Sequence, residues 1–182
     1  MNMGIAFDEV VGTAATKRQG KGNTIKEPDS SFKNLRLRSQ VGDWPHWVIE
    51  GGMSESLQRL RADASWWINH SEGEVLLVIL IWIRPSLKII KIETWVPERT
   101  LPPPGPRTRS RAAIPTLSPR KEDIDVEMDF SVDPPIYKGP LALTLQFSRL
   151  IGRPPVPPRE KDVVLTRQDL LDLAGYIWKG IV

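Results

Sequence analysis

Apolar and polar positions follow two rhythms along this chain, and the switches between them mark its elements. In SESLQRLRADASWWINHSEG (residues 54–73), Leu57, Leu60, Ala64, Trp67 and Ile68 recur at helical spacing on one face. Ser54 or Ser56 can cap the start of this helix, and Gly73 closes the segment. EVLLVILIWI (74–83), apolar without a break from residue 75 on, reads as a central strand buried on both faces. KIIKIETWVPE (88–98) alternates, with Ile90, Ile92 and Thr94 on one side and Lys91 and Glu93 on the other.

EDIDVEMDFSV (122–132) and PLALTLQFSRLIG (140–152) also alternate and predict two further strands, the second with Leu141, Leu143, Leu145 and Phe147 in phase. Upstream, TIKEPDSSFKNLRL (24–37) begins strand-like, and WPHWVIEGG (44–52) is a short strand entered through Trp44-Pro45. The chain closes on VVLTRQDLLDLAGYIWKGIV (163–182), a helix for which Thr166 is the N-cap and Asp169 its capping-box partner. The first 22 residues predict at most a short helix. Strands interleaved with helices give an α/β or α+β fold, a mixed central sheet flanked by helices.

Proline and arginine crowd residues 97–121, which predict a disordered or extended insertion within a single domain spanning 1–182. The chain has no cysteine and only two histidines, so disulfides, thiolate metal sites and cysteine nucleophiles are excluded and a Ser-His-Asp triad has little to draw on. Its 25 basic and 22 acidic residues give a net charge of +3, compatible with a nucleic-acid partner without demanding one. The N-terminus lacks a secretory pattern and the longest apolar run is half a membrane span, so the expectation is an intracellular protein, cytoplasmic or nuclear, with no membrane partner.

Two acids stand out by context. Asp29 follows a proline at the edge of one predicted strand, and Glu50 ends the next, directly before Gly51 and Gly52. If those strands are neighbours, both carboxylates emerge at one sheet edge, where two hard oxygen donors suit Mg²⁺. The bland reading is an Asx-type turn at Asp29, a carboxylate ahead of a helix start at Glu50, and a plain turn at the glycines.

The ordered set EPDSSF, WPHWVIEGGMSESLQRLRADASWWINHS, VLLVILIWI and IETW, within about residues 24–96, resembles the PD-(D/E)XK nuclease superfamily. Within it, the chain is similar to restriction-endonuclease-like proteins of bacteria and, more closely, to their uncharacterised fungal relatives. The resemblance implies a restriction-endonuclease-like fold and Mg²⁺- or Mn²⁺-dependent cleavage of DNA. It puts Asp29 in the place of the superfamily's aspartate and Glu50 in that of its second acid, both as metal ligands. The lysine expected two residues later is Gly52. Some branches supply the basic group from the following helix, which makes Arg59 and Arg61 the candidates here. With the lysine position empty, the resemblance implies weakened or lost activity, and a catalytically inactive module binding nucleic acid or protein is the alternative.

Overall fold

A computed structural model describes residues 4–13, 16–53, 55–100 and 116–181. Seven strands form one mixed sheet: β1 (Val11–Gly12), β4 (Ser30–Lys33), β5 (Trp47–Gly52), β6 (Leu77–Arg84), β7 (Ile89–Thr100), β8 (Thr116–Asp129) and β9 (Ile136–Lys138), hydrogen-bonded in that order. Two short antiparallel pairs flank it, β2 (Arg18–Gln19) with β3 (Ile25–Lys26), and β10 (Ala142–Leu145) with β11 (Val163–Thr166). The helices are α1 (Leu57–His70), α2 (Phe147–Ile151) and α3 (Arg167–Ile181).

Among the described residues only β5 and β6 run parallel, because α1 carries the chain from the end of one back to the start of the other. Helix α1 starts where the Ser56 hydroxyl accepts the Arg59 N–H at 3.2 Å. It buries Leu60, Ala64, Trp67 and Ile68 against Val48, Val78 and Leu80 of the sheet. The larger aliphatic side chains among them, Leu60 and Ile68, each contribute roughly 1.5–3 kcal/mol of burial. On the opposite sheet face Leu77, Ile79, Ile83, Ile90, Ile92 and Val126 form a second core with Leu143, Leu145, Leu170 and Ala174. Strand β6 is therefore buried on both sides, as its unbroken apolar run requires.

The structure redraws two segments. Pro97–Thr100 and Thr116–Lys121 belong to β7 and β8 and pair in register, Pro97 with Pro119 and Thr100 with Thr116, so the expected insertion at 97–121 is strand at both ends. Residues 101–115 lie outside the described residues, as does Ser54. In the second segment the alternation stops at Leu145. Gln146 caps α2 at Phe147, and Leu141, placed in phase with the core residues, is 88% exposed ahead of β10. The Thr166–Asp169 capping box is present, with Asp169 N donating to Thr166 Oγ1 at 3.2 Å and Thr166 N to Asp169 Oδ2 at 2.8 Å.

His46 ties the sheet to α2. Its ring is 2% exposed, and Nδ1 accepts the Asn34 N–H at 3.2 Å, while Asn34 Nδ2 donates to the Ile151 carbonyl at 3.0 Å. Burial first, then the charges of Arg38 and Lys33, push its pKa down from 6.5 to about 4. A histidine that resists protonation only when folded stabilises the fold above pH 6.5, and that contribution is lost as the pH falls toward 4; its size is about 3 kcal/mol. The urea midpoint is expected to fall between pH 6.5 and 4.5, with Glu50, whose pKa is raised, acting in the opposite direction. A His46→Gln protein should lose most of that slope; an unchanged slope would show that other groups cause it.

Candidate functional site

Strand β5 alternates Val48, Glu50 and Gly52 toward α1, and Glu50 is opposite Leu80 of β6. Asp29 immediately precedes β4. The antiparallel pairing of Ser30 with Ile49 brings Asp29 level with Glu50 at the C-terminal end of β5. Asp29 Oδ2 accepts the Gly51 N–H at 2.7 Å. The two predicted acids are thus gathered at one edge. Asp29 is exposed, whereas Glu50 is 5% exposed.

Glu50 is held by two side chains. Its Oε1 accepts the indole N–H of Trp67, a fully buried residue of α1. The Lys26 ammonium stands 3.6 Å from the same oxygen and 2.8 Å from Asp63 Oδ1. Burial raises the Glu50 pKa above its ordinary value, and the negative charges of Asp29 and Asp63 push the same way. The Trp67 hydrogen bond and the Lys26 charge oppose them without cancelling them.

Lys26 is the cation that the sequence reading missed. It ends β3, in the β2–β3 hairpin that packs on the C-terminal half of α1. A Cβ at Gly20 would lie 2.5 Å from the His70 ring and 2.6 Å from that of Trp66, so glycine permits this close approach. Trp66 Nε1 also donates to Thr24 Oγ1 at 3.3 Å. These contacts carry Lys26 over α1 to Asp63 and Glu50. The available signal was its place in KEPD, three residues before Asp29.

The two arginines proposed from the helix do not converge on the acids. Arg61 is bidentate on Glu93, with Nε 3.2 and 3.0 Å from the two carboxylate oxygens. Glu93 is 2% exposed on the α1 face of β7, and a buried carboxylate needs a cation, so it draws Arg61 away from Glu50. Arg59 reaches Glu55 at 3.5 Å on the exposed side of the first turn. Gly52 has its own reason. A Cβ there would lie 3.0–3.3 Å from the Leu60 side chain, so α1 closes over the position where a lysine was expected.

Asp29 and Glu50 offer two hard oxygen donors side by side. Among the described residues no group of three or more acidic or histidine side chains could hold a metal ion. Mg²⁺ uses one or two carboxylates and takes its remaining ligands from water and phosphate. Trp67 holds only one Glu50 oxygen, and the Gly51 N–H only one of Asp29. Among the described residues no helix is long and apolar enough to cross a membrane. No protein-family model matches the chain, and no curated protein matches it.

Proposed function

We propose that this chain is a divergent member of the PD-(D/E)XK superfamily, with a restriction-endonuclease-like fold, and that it hydrolyses DNA phosphodiester bonds with Mg²⁺ or Mn²⁺ held by Asp29 and Glu50. One observation carries the reading: a lysine ammonium meets the second acid although the motif's own lysine position is glycine. When bound, the metal would activate water and offset charge on the phosphate. Trp67 keeps the Glu50 carboxylate in one orientation. Asp63 holds Lys26 beside it. From there the ammonium can donate a hydrogen bond to the attacking water and neutralise charge developing on a phosphate oxygen. Lys26, at the end of β3, thereby replaces the side chain that Gly52 lacks.

The second reading is a catalytically inactive module that binds nucleic acid or protein. It is favoured by the Lys26 ammonium already lying between Glu50 and Asp63, where it offsets both charges.

Purified protein is expected to cut DNA with Mg²⁺ or Mn²⁺ and not in EDTA. Lys26→Met should slow cleavage about 100-fold, while Arg59→Ala, altering only an exposed ion pair, should leave it within about threefold. Absence of cleavage with either metal on duplex and single-stranded substrates would remove the enzyme reading and leave the binding module.

A further inference from the structure

On the α1 face of β6, Val78, Leu80, Trp82 and Arg84 follow one another toward the strand's C-terminal end. The first two are fully buried and the last two half-buried. Glu50 is opposite Leu80 and Gly52 opposite Trp82, so Trp82 lies one same-face step past Glu50 on the neighbouring strand. Its Nε1 donates to the Glu55 carbonyl at 2.9 Å, which fixes the ring by its edge. The Arg84 guanidinium carbon is 5.3 Å from the ring centroid and the Lys91 ammonium 6.0 Å. Lys91 shares Glu127 with Lys138, and Arg84 has no carboxylate partner among the described residues. An unneutralised guanidinium on an indole, beside a candidate phosphodiesterase centre, asks for an anion that also carries a flat ring.

We propose that Trp82, Arg84 and Lys91 form a binding step for single-stranded nucleic acid, in which a base stacks on the indole and guanidinium and the adjoining phosphates meet the two cations. An indole at this position offers a π-face that any unpaired base can use, and the fork of Arg84 suits both phosphate and stacking. A paired base has its faces covered by its neighbours, so this step selects a single strand over a duplex. From Trp82, the backbone is led along the β5–β6 ends to Glu50 and Asp29. The inference rests on the nuclease reading for the choice of polymer, but not for its test.

The test is fluorescence anisotropy of a labelled mixed-sequence 12-nucleotide DNA strand in EDTA, where binding is read without cleavage. Wild-type protein is expected to bind at low salt. Arg84→Ala should weaken binding at least fivefold and flatten the salt dependence by about 0.7 in log–log slope, one phosphate contact fewer. Trp82→Leu should weaken it roughly 5–100-fold, with Trp82→Phe recovering most of the loss. The Arg84 variant keeps the question open to an answer even where a Trp82 variant is unstable. Wild-type affinity in both Trp82→Leu and Arg84→Ala overturns the assignment, as does no strand binding at low salt or tighter binding of duplex that neither variant alters. A wild-type protein that binds strands in this way but cuts nothing would support the surface and count only against the nuclease.

Discussion

Glu50→Gln is expected to leave a protein that no longer cuts DNA and yet unfolds at a higher urea concentration than the wild type. Both effects have one cause. Glu50 sits in a site 5% exposed, and burial first, then the negative potential of Asp29 and Asp63, raise its pKa. A carboxyl whose folded pKa lies above its unfolded value stabilises the fold while protonated, and that contribution is gone once the pH has risen through the folded pKa. The wild type gives up that contribution as the carboxyl ionises. Glutamine is neutral at every pH, and its carbonyl oxygen can still accept the Trp67 N–H. Lys26 keeps Asp63 as its partner at 2.8 Å.

The gain should be roughly 0.5–2 kcal/mol in EDTA, the scale of relieving one functional compromise. The amide is a poor ligand for Mg²⁺ and supplies no charge, so cleavage should fall by about 10³-fold or more. The alternative account, in which Glu50 merely anchors Trp67 and Lys26, makes the opposite prediction: loss of the ion pair would destabilise the fold. Urea unfolding of the two proteins in EDTA separates the two accounts even if the wild type proves inactive. A destabilised Glu50→Gln protein would mean that the carboxylate is structural.

What could be read from the sequence was the part governed by local periodicity. The α1 stripe, the doubly buried β6 and the alternation of β7 depend on neighbours within a few residues, and all three stand where the pattern puts them. The pairing of Asp29 with Glu50 was also legible, because each lies at the end of a short strand and the two strands are neighbours. Lys26 was not. It reaches Glu50 only because the β2–β3 hairpin docks on α1 through Gly20, a contact that no periodicity encodes. Arg61 failed for a related reason. Its spacing on the helix is right for the site, but Glu93, two strands over, competes for it, and the competitor becomes visible only when β7 is laid beside β6. The ends of 97–121 were misread because proline content suggested a loop, whereas Pro97 and Pro119 sit opposite each other in the β7–β8 ribbon.

Gly152→Ala tests the long-range tie behind this geometry, and it is expected to cost more than its single methyl suggests. In LIGRPP the glycine reads as an ordinary helix stop, and part of its role is that: it ends α2 with φ +81°, its N–H donating to the Ser148 carbonyl at 2.9 Å. An alanine in that left-handed conformation costs about 1–2 kcal/mol. The larger problem is His46, whose Nε2 would lie 2.0 Å from the new Cβ. The ring cannot simply swing aside, since Nδ1 holds the Asn34 N–H and the residue is 2% exposed. Overpacking of this kind adds roughly 1–3 kcal/mol, for a total near 2–5 kcal/mol, or a melting temperature lowered by about 10 °C. Gly175 is the matched control, since it lies in α3 and a methyl added there would meet nothing within 4 Å. Gly175→Ala should stabilise by roughly 0.5–1 kcal/mol, the ordinary helix-interior difference. If both substitutions shift the melting temperature alike, the contact between His46 and α2 is not tight. If they diverge as expected, α2 is locked to the residue that directly precedes β5, and the strand that carries Glu50 is anchored at its far end by a glycine that sits 102 positions later in the chain (152 − 50).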